Sequence, residues 1–285
     1  VLDSDDTPVA CASEKEGAYK KGVFGLCPLL AFCDNTGESP ARQLRPGDAG
    51  ANDTADSIDT FARAVAQLPA TFRRTILFRT DGAGFSCGLL KWIAAAGGRT
   101  HPSFTREYST GWTFTQREMD AVMAPDQLAK KGQPVRKPSG TVTAACARTW
   151  PAGHRIFIRR ELLHPRYAKD ASAYELEHEV RLQAFATNTP GRRAAWLDCR
   201  HRNHTRVEGK IRDSKAESLA RFPSRWMSVN QAWLTVTALA CYLRAWLQLL
   251  ACNSEMATAT ATPKTLCYPF LQVPAVSYAA SADAA

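Results

Sequence analysis

Zinc-ligand spacing is missing from this chain. None of its six histidines forms a His-Glu-x-x-His pair, and none of its nine cysteines forms Cys-x-x-Cys. The common zinc sites are excluded on that ground. The cysteine count is odd in a chain of 285 residues, so free, mostly buried thiols are expected and a disulfide framework is not. A full phosphate-loop motif is also absent; Gly82 and Gly84 read as shaping a tight turn after Asp81. No internal repeat is present. The apolar stretch Ala232 to Tyr242 stops short of a bilayer-spanning length before Arg244, and reads as part of a buried helix. The opening Val-Leu-Asp-Ser-Asp-Asp lacks the basic-then-apolar order of a signal peptide. Val stands first in place of Met, and a candidate aspartate falls in the first strand, so a portion N-terminal to Val1 is expected to be missing.

What the chain has is an ordinary hydrophobic share of 45% and a formal charge of +9 that is unevenly placed. Between Arg192 and Arg225 ten Lys/Arg stand against four Asp/Glu, a net +6. Such a cluster suits a nucleic-acid partner better than an evenly solvated surface does. Its plainer reading is the charged face of an amphipathic helix.

Strands are expected at Thr7 to Cys11, Leu29 to Cys33 and Arg42 to Leu44, the last two joined through Asp34-Asn35-Thr36-Gly37. Ile58, Phe61, Ala62, Val65 and Leu68 keep a helical period behind the caps Asn52 and Asp53, giving a helix near 54–68. Thr75-Ile76-Leu77-Phe78 is a buried strand that delivers Asp81 at its end. Phe85, Leu89, Trp92 and Ile93 mark a second helix, Phe104 to Tyr108 another strand, and Thr115-x-x-Glu118 caps a helix near 116–124. Strands at Ile156 to Ile158 and Val180 to Ala186 belong to a β-rich insertion. A long helix over 192–215 follows, then one over 228–250, apolar nearly all round and so packed inside the domain. The fold class is α/β, a mixed sheet flanked by helices. Its parts are a core over 1–125, the insertion over 126–190, final helices over 191–252 and a poorly ordered tail over 253–285.

On one helix His201, His204, Glu208, Arg212 and Lys215 share a stripe, at steps of three or four residues. Asp5 and Asp81 lie at strand ends, and three scattered carboxylates on a basic chain suit phosphodiester chemistry. Hard divalent cations prefer oxygen donors, and two of them can clamp the attacking and leaving oxygens at phosphorus. Asp3 rivals Asp5 because it shares the strand face, whereas Asp6 points to the other. Each residue also has a plainer role: a turn aspartate, a Glu208–Arg212 ion pair, solvated Lys215, surface histidines.

The combination is more specific. Asp5-Asp6-Thr7, Pro28-Leu29-Leu30-Ala31-Phe32-Cys33-Asp34 and Leu44-Arg45-Pro46-Gly47 come first. Arg79-Thr80-Asp81-Gly82-Ala83-Gly84, Ala184-Phe185-Ala186-Thr187-Asn188-Thr189 and Arg206-Val207-Glu208-x-x-Ile211-Arg212 follow. Over about residues 1–250 these phrases resemble the DDE transposases of bacterial insertion sequences, in the group with a Tyr-x2-Arg-x3-Glu-x6-Lys signature. Here His201 and His204 stand in place of its Tyr and Arg.

The resemblance implies a ribonuclease H-like catalytic domain with the insertion before its last catalytic helix. It implies Asp5, Asp81 and Glu208 as catalytic and metal-binding residues, with Mg2+ or Mn2+, and Lys215 as the signature lysine. The implied reaction is cleavage and strand transfer of insertion-sequence ends. The implied partners are double-stranded DNA and a second copy in a synaptic complex, in a bacterial, nucleoid-associated setting without a membrane. His201, His204, Arg206, Lys210, Arg212 and Lys215 are the expected DNA contacts. The rival functions are a metal-dependent nuclease and an inactive DNA-binding remnant.

Overall fold

The computed structural model describes residues 1–95, 101–112, 140–141, 150–151, 153–252, 258 and 260–272. Its frame is an eight-stranded mixed sheet. In chain order the strands are β1 (Leu2–Asp6), β2 (Val9–Ala10), β3 (Tyr19–Lys21), β4 (Val23–Leu26), β5 (Leu29–Cys33) and β6 (Ala41–Gln43). They continue with β7 (Thr75–Thr80), β8 (Thr105–Trp112), β9 (Gly140–Thr141), β10 (Arg155–Leu162) and β11 (Val180–Thr187). The large sheet runs β6-β5-β1-β7-β8-β11-β10-β9, and β2-β4-β3 form a small second sheet. The centre, β1-β7-β8, is parallel; β5 and β6 on one side and β11, β10 and β9 on the other pair antiparallel.

Helices cover both faces. Helix α1 (Thr54–Gln67) starts where the Asp53 side chain accepts from the Asp56 amide, and turns Phe61, Ala64 and Val65 inward. Beside it α2 (Cys87–Ala95) buries Leu89, Leu90 and Ile93. Both meet Leu2, Ala31 and Phe78 of the sheet, with Phe61 edge-on to Phe78 at 4.9 Å. Alternate residues of β5 part company: Leu30 and Phe32 pack instead with Val207, Ile211, Leu234 and Cys241 on the opposite face. That face belongs to α5 (Arg206–Ser214) and α6 (Met227–Trp246), reached after α3 (Ala173–Glu177) and α4 (Ala194–Arg202). The mixed sheet flanked by helices is the expected fold class.

Several expectations need correction. A strand Leu2–Asp6 precedes the one expected at Thr7 to Cys11, which forms only over Val9–Ala10 and in the small sheet, because Pro8 has no N–H to give a ladder and the chain leaves the main sheet there. The small sheet was not foreseen; Gly47 lets it close, since a Cβ there would lie 2.1 Å from the Gly25 carbonyl oxygen. Strands β10 and β11 form and join the main sheet through β8. The helix expected over 192–215 is divided at a 3-10 turn, Asn203–Thr205, between α4 and α5. Helix α6 is buried on one face only, while Val236, Leu239 and Leu243 on the other are more than half exposed. Together with the π turn Leu247–Ala251 it is long and apolar enough to cross a membrane by length and composition. In the stretch expected to be a poorly ordered tail, α7 (Pro263–Leu271) forms behind a Thr262 cap, and Leu266 packs with Cys252 and Ala261. The helix near 116–124 lies outside the described residues. Cys27, Cys33, Cys241 and Cys252 are buried thiols, Cys11 and Cys267 are partly buried, and Cys199 is exposed.

One buried ion pair fastens the centre. Arg79 of β7 donates from Nε and Nη2 to the two oxygens of Asp3 on β1, each at 2.7 Å, with both side chains at 1% exposure or less. Arg79 also reaches Asp34 at 2.7 Å and the Arg200 carbonyl at 2.8 Å. Removing one member of a buried pair strands the other's charge. Asp34 remains beside Arg79, so Asp3→Ala is expected to lower the unfolding free energy by roughly 3 kcal/mol, toward the lower end of such cases. Urea denaturation at neutral pH measures it, and a loss below about 1 kcal/mol would contradict the role given to the pair.

Candidate functional site

Strand register builds the site. Parallel β1 and β7 align Leu2 with Phe78, Asp3 with Arg79 and Ser4 with Thr80. One residue further, Asp5 comes level with Asp81 at the ends of two adjacent strands. Period-two alternation turns Asp3 and Asp5 toward the helices that carry His204 and Glu208. The three acids of β1 then meet different fates. Asp3 is fully buried and held by Arg79, with His204 Nδ1 also 3.1 Å away. Asp6 is held by buried Arg45 at 3.1 Å and accepts from the Cys27 thiol at 3.1 Å. Among the described residues Asp5 stands in no ion pair, so of Asp3 and Asp5 it is the one that no cation holds.

Asp81 closes its own turn, accepting from the Gly84 amide at 2.8 Å. Behind it the Thr80 and Thr110 hydroxyls meet at 2.7 Å. Glu208, in the first turn of α5, is exposed and, among the described residues, in no ion pair; Arg212 bonds Asp213 instead. A cleft of about 940 Å³ is lined by Asp81 and Glu208, and a shallower recess of about 320 Å³ by Asp5, Glu208, Arg212 and Lys215. A narrow seam holds Asp5 with Asp81. Each of the three carboxylates thus borders two of these three hollows.

Electrostatics single out Asp5. Burial, and then the neighbouring Asp81 charge, raise its pKa to about 7. Asp3 goes the other way: burial opposes its charge, but hydrogen bonds from His204 and Arg79 hold its pKa below the ordinary value. Among the described residues no three His, Cys, Asp or Glu side chains are gathered tightly enough to hold a metal as they stand. The donor chemistry nevertheless fits a hard cation. Asp5, Asp81 and Glu208 offer only oxygen, and the mutual repulsion of Asp5 and Asp81 is what a divalent charge relieves.

The expected DNA contacts divide. His201 is turned inward: Nδ1 lies 2.9 Å from the Ser109 hydroxyl, and the ring stacks on Phe185 at 4.8 Å. Burial and then the charge on His204 lower its pKa to about 3, so it is neutral and poorly suited to phosphate. His204 is engaged with Asp3. Lys210 is nearly buried against the Cys33 carbonyl and Asp34. Arg206 is 61% exposed although it leans on Asp34 at 3.5 Å. Arg212 is 72% exposed, and Lys215 donates to the Pro8 carbonyl at 3.4 Å. Asp34 accounts for Lys210 and tethers Arg206, whereas Ser109 and Asp3 hold the two histidines. Arg159, Arg181 and Arg202 also line the cleft, and no sequence motif marked them.

Fold and site together define a mixed α/β domain with an acidic cleft at the ends of its parallel strands, on a basic chain. The chain belongs to the family described as transposase DDE domain group 1, whose model matches residues 1–279. No curated protein matches it. Among solved structures it is similar to a chain of the piggyBac transposase synaptic complex with hairpin DNA, determined by cryo-electron microscopy. The TM-score is 0.47 and the identity 8%, over 86% of this chain and 46% of that one. The chain thus spans about half the length of that relative.

A carboxyl that binds its proton more tightly when folded costs stability once ionised. For Asp5 that cost is absent below the ordinary value of 3.8, grows with pH, and is complete above about 7. Asp5→Asn, neutral throughout, is expected to melt higher than the parent at pH 8 in chelator, with the gap closing as pH falls toward 4. Equal melting temperatures at pH 8 would show that Asp5 is not electrostatically strained.

Proposed function

We propose that this chain is the catalytic domain of a DNA transposase that cleaves insertion-sequence ends and transfers the strands. The carrying observation is the register that sets Asp5 beside Asp81, two crowded carboxylates bordering hollows that Glu208 also lines. Asp5, Asp81 and Glu208 would hold Mg2+ or Mn2+, which when bound supplies charge neutralisation at phosphorus and an activated oxygen nucleophile. The protein's own part is to hold Asp81 rigid through its turn, and to keep Asp5 free of any cation of the fold. Phosphates run along the exposed rim, at Arg206, Arg212 and Lys215, which position the duplex without reading its bases. His201, His204 and Lys210 act one layer deeper, shaping the wall behind the carboxylates. The substrate is double-stranded DNA, as transposon end and as target, and a second copy completes a synaptic complex.

A strand-nicking and joining assay with the element's own ends tests the reading. Asp81→Ala and Glu208→Ala should each abolish metal-dependent nicking while duplex binding persists. Nicking without joining would assign a nuclease, and binding with no cleavage under either metal would assign an inactive remnant.

Binding carries its own signature. Arg212→Ala and Lys215→Ala should each reduce the slope of log affinity against log salt by about 0.9, the value for one phosphate contact on duplex DNA. Slopes equal to the parent's would move the DNA track off the α5 rim.

A further inference from the structure

The loop into α4 and the first turns of that helix carry a basic cluster that the catalytic reading does not use. From Pro190 to Leu197 the chain has two arginines and no acid, and Arg192, Arg193 and Trp196 are all exposed, the last by 47%. Two guanidiniums lie over the Trp196 ring, Arg192 at 5.2 Å from its centre and Arg200 at 4.9 Å. Stacking on a ring holds a guanidinium in place and leaves its N–H edge free, the fork that suits a phosphate. The loop itself is fixed. Gly191 turns it at a φ of 65°, and Arg155 of β10 donates to the Thr189 and Arg192 carbonyls, the second at 3.3 Å.

Nearby acids leave the cluster its charge. Glu107 takes Arg200 at 2.7 Å, and Asp198 faces Arg159 and Arg202 at 3.6 and 3.9 Å. Among the described residues no carboxylate pairs with Arg155, Arg192 or Arg193. Fixed, exposed cations beside an aromatic ring, with no opposing acid, suit a nucleic-acid backbone. The cluster stands apart from the cleft, which reaches α4 only at Asp198, His201 and Arg202. Between α4 and α5 the turn keeps right-handed helical angles at Asn203 and Thr205. The fifteen residues from Arg193 to Glu208 therefore cover about 22 Å at ~1.5 Å each. Along B-DNA that is about seven base pairs, at ~3.4 Å per step. One duplex on the α5 rim is long enough to meet both places.

We propose that Arg192 and Arg193, held by the Trp196 ring and by the loop that Arg155 pins, grip phosphates at a second point on the duplex that lies along the α5 rim. The proposal rests on the reading of that rim as a DNA track. Fluorescence anisotropy of labelled duplexes with the full chain, in chelator and over a series of salt concentrations, tests it. In the parent, log affinity should fall more steeply with log salt on a duplex of about 20 base pairs than on one of about 8. The difference in slope should be about 1.8, for two phosphates at about 0.9 each. The Arg192→Ala/Arg193→Ala double variant should show one slope at both lengths. Both arginines are exposed, so its melting temperature should match the parent's. Arg212→Ala with Lys215→Ala should instead flatten the slope at both lengths; if it does not, the rim reading fails, and the length dependence still decides this one. A length difference that persists in the Arg192/Arg193 variant, or that is absent from the parent, would overturn the proposal. So would a loss of slope confined to single strands of the same lengths.

Discussion

The bidentate pair of Asp3 and Arg79 is the constraint on which the rest of the site depends. It joins the first strand to the neighbouring parallel strand in one register, and through Asp34 and the Arg200 carbonyl it also fixes a turn and the end of α4. Register in a sheet is all-or-none, because a slip of one residue turns every side chain to the other face. With Asp3 locked against Arg79, Asp5 must face the α5 side and must lie level with Asp81. The pair therefore governs the geometry of carboxylates that it never touches.

Around that lock the chain sorts its charges into two populations. Asp3, Asp6 and Asp34 are neutralised by Arg79, Arg45, Lys210 and Arg206, and these pairs hold elements together. Among the described residues Asp5 and Glu208 are left without ion pairs, and Asp81 bonds within its own turn. With no cation of the fold paired to Asp5, burial first and then the neighbouring Asp81 charge raise its proton affinity. On the exposed rim Arg212 and Lys215 have the opposite sign, which suits a polyanion lying across an acidic centre.

The sequence was legible where local rules decide. Helix α1 follows its apolar period and Asp53 cap, β5 and β7 their apolar runs, and Asp81 its place after a strand. Where long-range partners decide, reading failed in specific ways. The strand Leu2–Asp6 went unread because one of its faces is Asp: an acidic strand reads as a loop until Arg79, seventy-six positions from Asp3, is known to be waiting. His201 and His204 read as surface residues on a helical stripe, yet the turn at Asn203–Thr205 and the nearness of Ser109 and Asp3 draw them inward. The small sheet β2-β4-β3 had no apolar alternation to announce it.

By itself the amino-acid order determined the fold class, the family, and which side chains could do oxygen-ligand chemistry. Those follow from periodicity, from phrases of adjacent residues and from the kinds of atoms present. Only the tertiary structure decided which acid is available and which are already neutralised, which cations stay in solvent, and that α6 shows an apolar face to water. Those are questions of distance and dielectric between residues far apart in the chain. The energy of a charge depends on what surrounds it, and its neighbours in sequence are only a small part of that.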